Sequence, residues 1–159
     1  MAELHLSQVM PGALAVALCA TAEKAGATGC RAVDQASQTV TAFQAAAKAA
    51  WRTGDAGRLA RFFDEDAEYC NGPLEAVRGR AAILASLTQQ MSMGGEVRAE
   101  IIHMISDGVT VMTERLDYWS SDDRSASLRV MGIFEVHDGV ITGWRDYFDG
   151  NEFISQLNA

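Results

Sequence analysis

The chain has 159 residues, 48% of them hydrophobic and 21% charged, which suits one soluble-type globular domain with a real core. Its formal net charge of -8 at pH 7 repels phosphate backbones and anionic lipid, so nucleic acid and membrane surfaces are poor partners. The three cysteines (Cys19, Cys30, Cys70) and three histidines (His5, His103, His137) match no zinc, haem or Cys-x-x-Cys spacing, so no metal or cofactor is expected and the cysteines read as free thiols of a reducing compartment.

In chain order, residues 1–33 read as an N-terminal extension, in part disordered, and residues 34–159 as the domain proper. The apolar run 9–22 resembles the central segment of a signal peptide. The residues before it hold a Glu and no Lys or Arg, which argues against secretion and makes the cytoplasm the expected location. No run reaches the ~18 apolar residues of a membrane span. From Asp34, helical spacing of Val40, Phe43, Ala47, Ala50 and Trp51 predicts a helix that ends at Gly54. Asp55 is placed to cap a second, short helix over 57–63. A short strand over 67–71 is broken by Gly72-Pro73. A third helix is expected over 79–91, with Ile83, Leu84 and Leu87 on one side.

After Gly94-Gly95 the apolar period changes to two, predicting strands at 96–106, 109–119, 125–137 and 140–148. Asp107-Gly108 and Asp138-Gly139 read as two-residue hairpin turns. Residues 120–125 form the loop between the middle strands, and a last helix covers 151–157. Helices first and an antiparallel meander second describe an α+β domain, with helices packed on one face of a curved sheet.

Strand alternation then assigns faces. Val109, Val111, Thr113, Arg115, Asp117 and Trp119 share one face of their strand. Val140, Thr142, Trp144, Asp146 and Phe148 share one face of the last. Arg115, Asp117 and Asp146 thus lie among apolar side chains, where charge is costly unless paired. An Arg can bridge two carboxylates with its planar fork. Burial and like-charge repulsion can then keep a proton on one carboxyl while the other stays ionised, setting an acid beside a base. The same cluster could equally be structural, pinning two strands together. Glu114 and Arg145, on the opposite parity, read as a solvated or cross-strand pair. Tyr69 and Asn71 point the same way and can hold a water if their strand faces the same cavity.

The runs TERLDYW (113–119) and VMGIFEVHDGVITGWRDYFD (130–149), with YCNGPL (69–74) and GDAGRLARFFDEDAEY (54–69), resemble the limonene-1,2-epoxide hydrolase family. The combination of ERxD, GWRDYFD and a preceding YxN carries the resemblance, which extends over about residues 34–157. It implies a cone-shaped α+β fold like that of nuclear transport factor 2 and ketosteroid isomerase, its sheet curved and mixed or antiparallel with the N-terminal helices in the concavity. It further implies Asp146 as general base on a water also held by Tyr69 and Asn71, Asp117 as general acid to the epoxide oxygen, and Arg115 as the bridge. No cofactor, metal or covalent intermediate is implied. The partners are a small apolar epoxide and water, the product is a vicinal diol, and the chain is expected to be a homodimer through the outer sheet face, where Tyr118, Met131, Ile133 and Tyr147 lie. Leu74, Trp119, Leu128, Val130, Phe148 and Phe153 are the expected apolar lining for substrate.

Two rival readings stand beside this one. An isomerase on the same cone would use one Asp base and a Tyr-based oxyanion hole without a bridging Arg, and an epoxide-opening cyclase would use the paired carboxylates with an internal hydroxyl in place of water. A non-catalytic binding module could use the cone alone. The Tyr69/Asn71 pair favours hydrolysis, and the paired carboxyls favour an enzyme over a binder.

Overall fold

The computed structural model describes residues 34–158. Cys19, Cys30, His5 and the expected extension over 1–33 lie outside the described residues.

Helix α1 (Gln35–Thr53) begins where the Asp34 carboxylate accepts the Ser37 amide at 2.8 Å, satisfying an orphan donor of the first turn. It stops at Gly54, which takes the left-handed φ of 68° that glycine adopts without steric penalty. Its inward stripe is Ala36, Val40, Phe43 and Ala50. The small alanines bring its backbone close to the sheet, and Phe43 fills the gap. The Phe43 ring lies edge-on to Phe62, Phe63, Phe134 and Trp144 at centroid distances of 5.0–6.0 Å, a favoured aromatic geometry.

Helix α2 is a single turn (Gly57–Ala60), and the chain is already extended at Phe63, where strand β1 (Phe63–Asn71) begins. The helix expected to run to residue 63 is therefore shorter and the strand expected from 67 longer. Phe63 and Ala67 are buried together with Tyr69, a pattern in which every member belongs to a strand face. A two-residue strand β2 (Val77–Arg78), too short to show an alternation, pairs with β1 before helix α3 (Arg80–Met91). Ile83 and Leu87 face the core, whereas Leu84, expected beside them, is 37% exposed.

Strands β3 (Glu96–Ser106), β4 (Thr110–Ser120), β5 (Ser125–His137) and β6 (Val140–Tyr147) form the meander, followed by helix α4 (Gly150–Leu157). The sheet is open and six-stranded in the order β2-β1-β6-β5-β4-β3. Among the described residues the β1–β6 pair alone is parallel, so the sheet is mixed. Helices α1 and α3 lie on its inner face, as expected of the α+β class. The Asp138-Gly139 turn has both residues at positive φ (49° and 79°), the two-residue primed turn that Asp-Gly favours. The other hairpin spends three residues, Asp107 to Val109, so Val109 leaves the strand and is 43% exposed rather than inward.

Val140 and Thr142 were expected on the inner face of β6, with Ile141 outside. The pairing slips between Glu135 and Val136: Phe134 faces Trp144, but Val136 faces Ile141. This bulge adds one residue to β6 and reverses the parity on either side of it. Ile141 and Trp144 are therefore both inward, at 0% and 8% exposed, and the expected parity holds only from Trp144 onward.

Candidate active site

Arg115 is the hub. Its side chain is only 2% exposed and projects from β4 toward two carboxylates. Its Nε lies 2.9 and 3.0 Å from the two carboxylate oxygens of Asp117. Its Nη2 donates to Oδ2 of Asp146 on β6, two strands away. The reach across β5 is possible because the intervening residue is Gly132, which pairs with Thr113 on one side and Asp146 on the other. A Cβ there would collide with Arg115 Nη1 and stand 2.8 Å from Thr113 Oγ1 and 2.9 Å from Asp146 Oδ1. The guanidinium occupies the space that any other residue would fill.

The two aspartates are unequal. The Asp146 side chain is 4% exposed and that of Asp117 28%. Burial raises the proton affinity of Asp146 above the ordinary carboxylate range, opposed by the Arg115 charge and hydrogen bond and by Trp144, and reinforced by the Asp117 charge. Trp144 Nε1 donates to Asp146 Oδ1 at 2.7 Å. Burial disfavours the Arg115 charge, but the attraction of Asp146 and Asp117 more than compensates, and its pKa is raised. Desolvation also raises the Tyr69 phenol, so that hydroxyl stays protonated at any working pH.

The parallel β1–β6 pairing sets Tyr69 beside Trp144 and Asn71 beside Asp146. The Tyr69 ring stacks on Trp144 at 4.4 Å and 22°. The Gly72 amide donates to the Asp146 carbonyl at 3.0 Å, and a Cβ on Gly72 would come within 2.7 Å of that oxygen, so the strand end can approach only because residue 72 is glycine. Gln90 of α3 joins this group. Its Oε1 accepts from Asn71 Nδ2 and Tyr69 Oη at 3.3 Å each, and its Nε2 reaches Tyr69 Oη and Ser86 Oγ at 3.2 Å each.

The five residues expected to act, Asp117, Arg115, Asp146, Tyr69 and Asn71, are thus brought together through β1, β4 and β6. Of the expected lining, Val130 pairs with Arg115 and Leu128 with Asp117. Trp119 is buried, donates to the Gly94 carbonyl at 2.9 Å and meets the Phe153 ring edge-on at 6.4 Å. Phe148 is half-buried just beyond β6, and Leu74 is 58% exposed on the turn after Asn71. Leu74 is thus the member of the expected lining that the structure does not bury. Glu114 and Arg145 do not pair with each other. Glu114 meets His103 and Arg129, while Arg145 meets Glu135 at 2.6 Å, because Met131 and Ile133 of β5 stand between their strands. The sequence places Trp144 on the face of Asp146 without giving it a role, and singles out neither Gly132 nor Gln90. Gln90 had a signal: with Ile83 and Leu87 it completes an i, i+4, i+7 stripe, a polar residue on the buried side of α3.

An open α+β sheet with helices on its inner face defines a nuclear transport factor 2-like fold, and Arg115 bridges a buried and a partly exposed carboxylate between its strands. Residues 34–159 match the family described as limonene-1,2-epoxide hydrolase catalytic domain, and the chain belongs to that family. Epoxide hydrolase EphG of Mycobacterium tuberculosis (strain ATCC 25618 / H37Rv) is 41% identical over 95 residues, 58% of this chain and 62% of that protein. The matched stretch therefore spans less than two thirds of that relative. The solved structure of an M. tuberculosis limonene-epoxide-hydrolase-like epoxide hydrolase superposes with a TM-score of 0.64 and 30% identity, covering 78% of this chain and 90% of that one. A nuclear transport factor 2-like protein from Anabaena variabilis ATCC 29413 superposes at 0.67 with 17% identity, covering 79% and 98%, which bears on the fold alone.

Proposed function

We propose that this chain hydrolyses a small apolar epoxide to a vicinal diol in one step, with residues 34–159 as the catalytic unit. The observation that carries the reading is Arg115 joined at once to a buried Asp146 and a partly exposed Asp117. Asp146, ionised and held by Arg115 and Trp144, takes a proton from water. Burial makes it a stronger base than a carboxylate in bulk solvent. The water oxygen attacks one epoxide carbon and the carbon–oxygen bond on that carbon breaks. Asp117 gives its proton to the departing oxygen, so no alkoxide is released. Each transfer is the kind of step that contributes ~10²–10⁴-fold. The cycle leaves a proton on Asp146 and none on Asp117, and Arg115, touching both, lies on the path by which that proton returns. Tyr69 and Asn71, beside Asp146, hold the water, and holding it removes the entropy of assembling it with substrate.

Hydrolysis rather than cyclisation is favoured by Asn71, paired in register with Asp146: a water has a second O–H that needs an acceptor once the first faces the base, and a substrate hydroxyl has none. The exposed Met131 and Tyr147 on the outer face of the sheet, with Met112 and Ile105, support a homodimer through that face. The free thiol of Cys70 suits the reducing cytoplasm as its location.

The test is a panel of limonene, cyclohexene, styrene and steroid epoxides assayed for diol with the wild type, Asp146→Asn and Asp117→Asn. Diol from the wild type and none from either folded variant is expected. Single turnover in ¹⁸O-water should place the label in the diol and none in the protein. Undiminished diol from Asp146→Asn, or ¹⁸O in an aspartate, would sink the mechanism, and a cyclic ether in place of diol would identify a cyclase.

A further inference from the structure

We infer that Gln90 is a positioning residue of the hydrolytic site, turning the Asn71 side chain so that its carbonyl oxygen accepts a hydrogen bond from the attacking water, whose other proton goes to Asp146. The inference rests on the hydrolytic reading above and extends it to a residue on a helix that carries no other part of the centre.

A water that attacks carbon must keep a lone pair aimed at that carbon. One of its protons goes to Asp146. The other needs an acceptor, because a donor in that position would bind the lone pair instead. Tyr69 is a phenol kept protonated by burial. Asn71 is the neighbour that can accept, provided the oxygen end of its amide faces the water. The two ends of an Asn amide are nearly isosteric and exchange by a half-turn about the last side-chain torsion. Packing alone does not choose between them; a hydrogen-bond partner does.

Gln90 supplies the choice. Its Oε1, an acceptor only, lies 3.3 Å from Asn71 Nδ2, which directs the Asn71 nitrogen toward α3. Asn71 Oδ1 then has no protein partner among the described residues. The Gln90 amide is itself held in this sense, since its Nε2 donates to Ser86 Oγ one helical turn back and to Tyr69 Oη, each at 3.2 Å. That second contact fills an acceptor site of Tyr69, whose one proton turns either to Gln90 Oε1 at 3.3 Å or to the water. The chain Ser86, Gln90, Asn71 thus runs from helix α3 to the strand that flanks Asp146, and Gln90 never needs to touch substrate.

The experiment compares Gln90→Met, which keeps the length and loses both polar atoms, with Gln90→Glu, which keeps an acceptor at the Oε1 position. Both are made in the wild-type and Asn71→Ala backgrounds, checked for folding by thermal melts, and assayed for diol from whichever epoxide the wild type turns over. Gln90→Met should lower kcat about tenfold with KM changed less than about twofold, since a hydrogen bond to a reacting group contributes on that scale. Gln90→Glu should recover most of that loss. In the Asn71→Ala background, already slowed, Gln90→Met should cause no further fall, because residues acting through one another are not additive. Three results overturn the inference while leaving the hydrolytic mechanism standing: a wild-type kcat in Gln90→Met, equal losses in Gln90→Met and Gln90→Glu, or losses that multiply in the double variant. Full activity in Asn71→Ala would remove the water clamp itself, and the role of Gln90 with it.

Discussion

Trp144 Nε1 donates to Asp146 Oδ1 at 2.7 Å, two residues along one strand. The two side chains share a face because β6 returns to regular alternation after its bulge. The bond acts on the charged form of Asp146, whose proton affinity burial raises and this donor lowers. In Trp144→Phe the ring remains and the donor is lost, so the charged form is less favoured and the pKa of Asp146 climbs further. Activity requires ionised Asp146, so the acidic limb of kcat/KM should move to higher pH in this variant while the plateau above it persists. A pH–rate profile of wild type and Trp144→Phe checks the sign, and a limb displaced toward lower pH contradicts the assigned base.

Gly132 contributes to the site by what it lacks. Its Cβ would collide with Arg115 Nη1 and press on Thr113 Oγ1 and Asp146 Oδ1 at 2.8 and 2.9 Å. Gly132→Ala should therefore displace the guanidinium and break the bridge between the aspartates, since closely packed interiors yield to an added methyl only by shifting side chains. The expected outcome is a loss of diol formation of roughly 10²-fold or more, as for a misplaced catalytic group, with a destabilisation of about 1–3 kcal/mol. Steady-state kinetics and chemical denaturation measure the two effects separately. A variant as active as the wild type would show that the bridge is not needed in its observed geometry.

These relationships also mark what sequence could and could not disclose. The helix over α1, the four long strands and the face shared by Arg115 and Asp117 follow from local periodicity, and the structure agrees with them. The bulge in β6 does not, because one extra residue leaves no compositional trace and reverses every face before it. The parallel pairing of β1 with β6 joins segments about 75 positions apart, and it is this long-range contact that sets Asn71 beside Asp146. Gly132 and Gln90 belong to the same class: each matters through a neighbour that only the folded sheet supplies. The wrong pairing of Glu114 with Arg145 came from assigning a face without a strand order.

Arg115 is worth probing as a stabilising group apart from catalysis. It is the cation beside the buried Asp146, and removing one partner of a buried pair costs about 3–5 kcal/mol because the other charge is left uncompensated. In Arg115→Met the pKa of Asp146, already raised, rises further for want of the charge and hydrogen bond that lower it. A carboxyl whose folded-state pKa lies above its unfolded value contributes stability below the unfolded pKa and loses it as pH rises through the folded pKa. The deficit of Arg115→Met against wild type should consequently be large at pH 8 and shrink toward pH 5. Urea denaturation across that range is the measurement, and a deficit that grows toward acid pH would contradict the assignment.

A single side chain, Gln156, clamps α4 to β5. Strand β6 ends at Tyr147, opposite Met131, so the backbone of β5 before that point lacks a strand on that side. Gln156 takes the place of one. Its Oε1 accepts the Ser127 amide at 2.9 Å and its Nε2 donates to the Ser127 carbonyl at 2.8 Å, reproducing with one side chain the paired bonds of a sheet ladder. None of the α4 residues is fully buried; Phe153, which meets Trp119, and Leu157 are half-buried, so the apolar area that holds the helix is modest. Gln156→Leu keeps the bulk but leaves both Ser127 groups without their partner, a loss of about 1–3 kcal/mol where such groups stay shielded from water. With so little else retaining it, the loss should appear as local opening of α4 rather than global unfolding. Hydrogen exchange should show faster exchange at the Ser127 amide and through α4 in Gln156→Leu, with the α1 and β4 amides unchanged. Unaltered protection at Ser127 would mean that the helix is held by its apolar face and that the amide clamp is incidental.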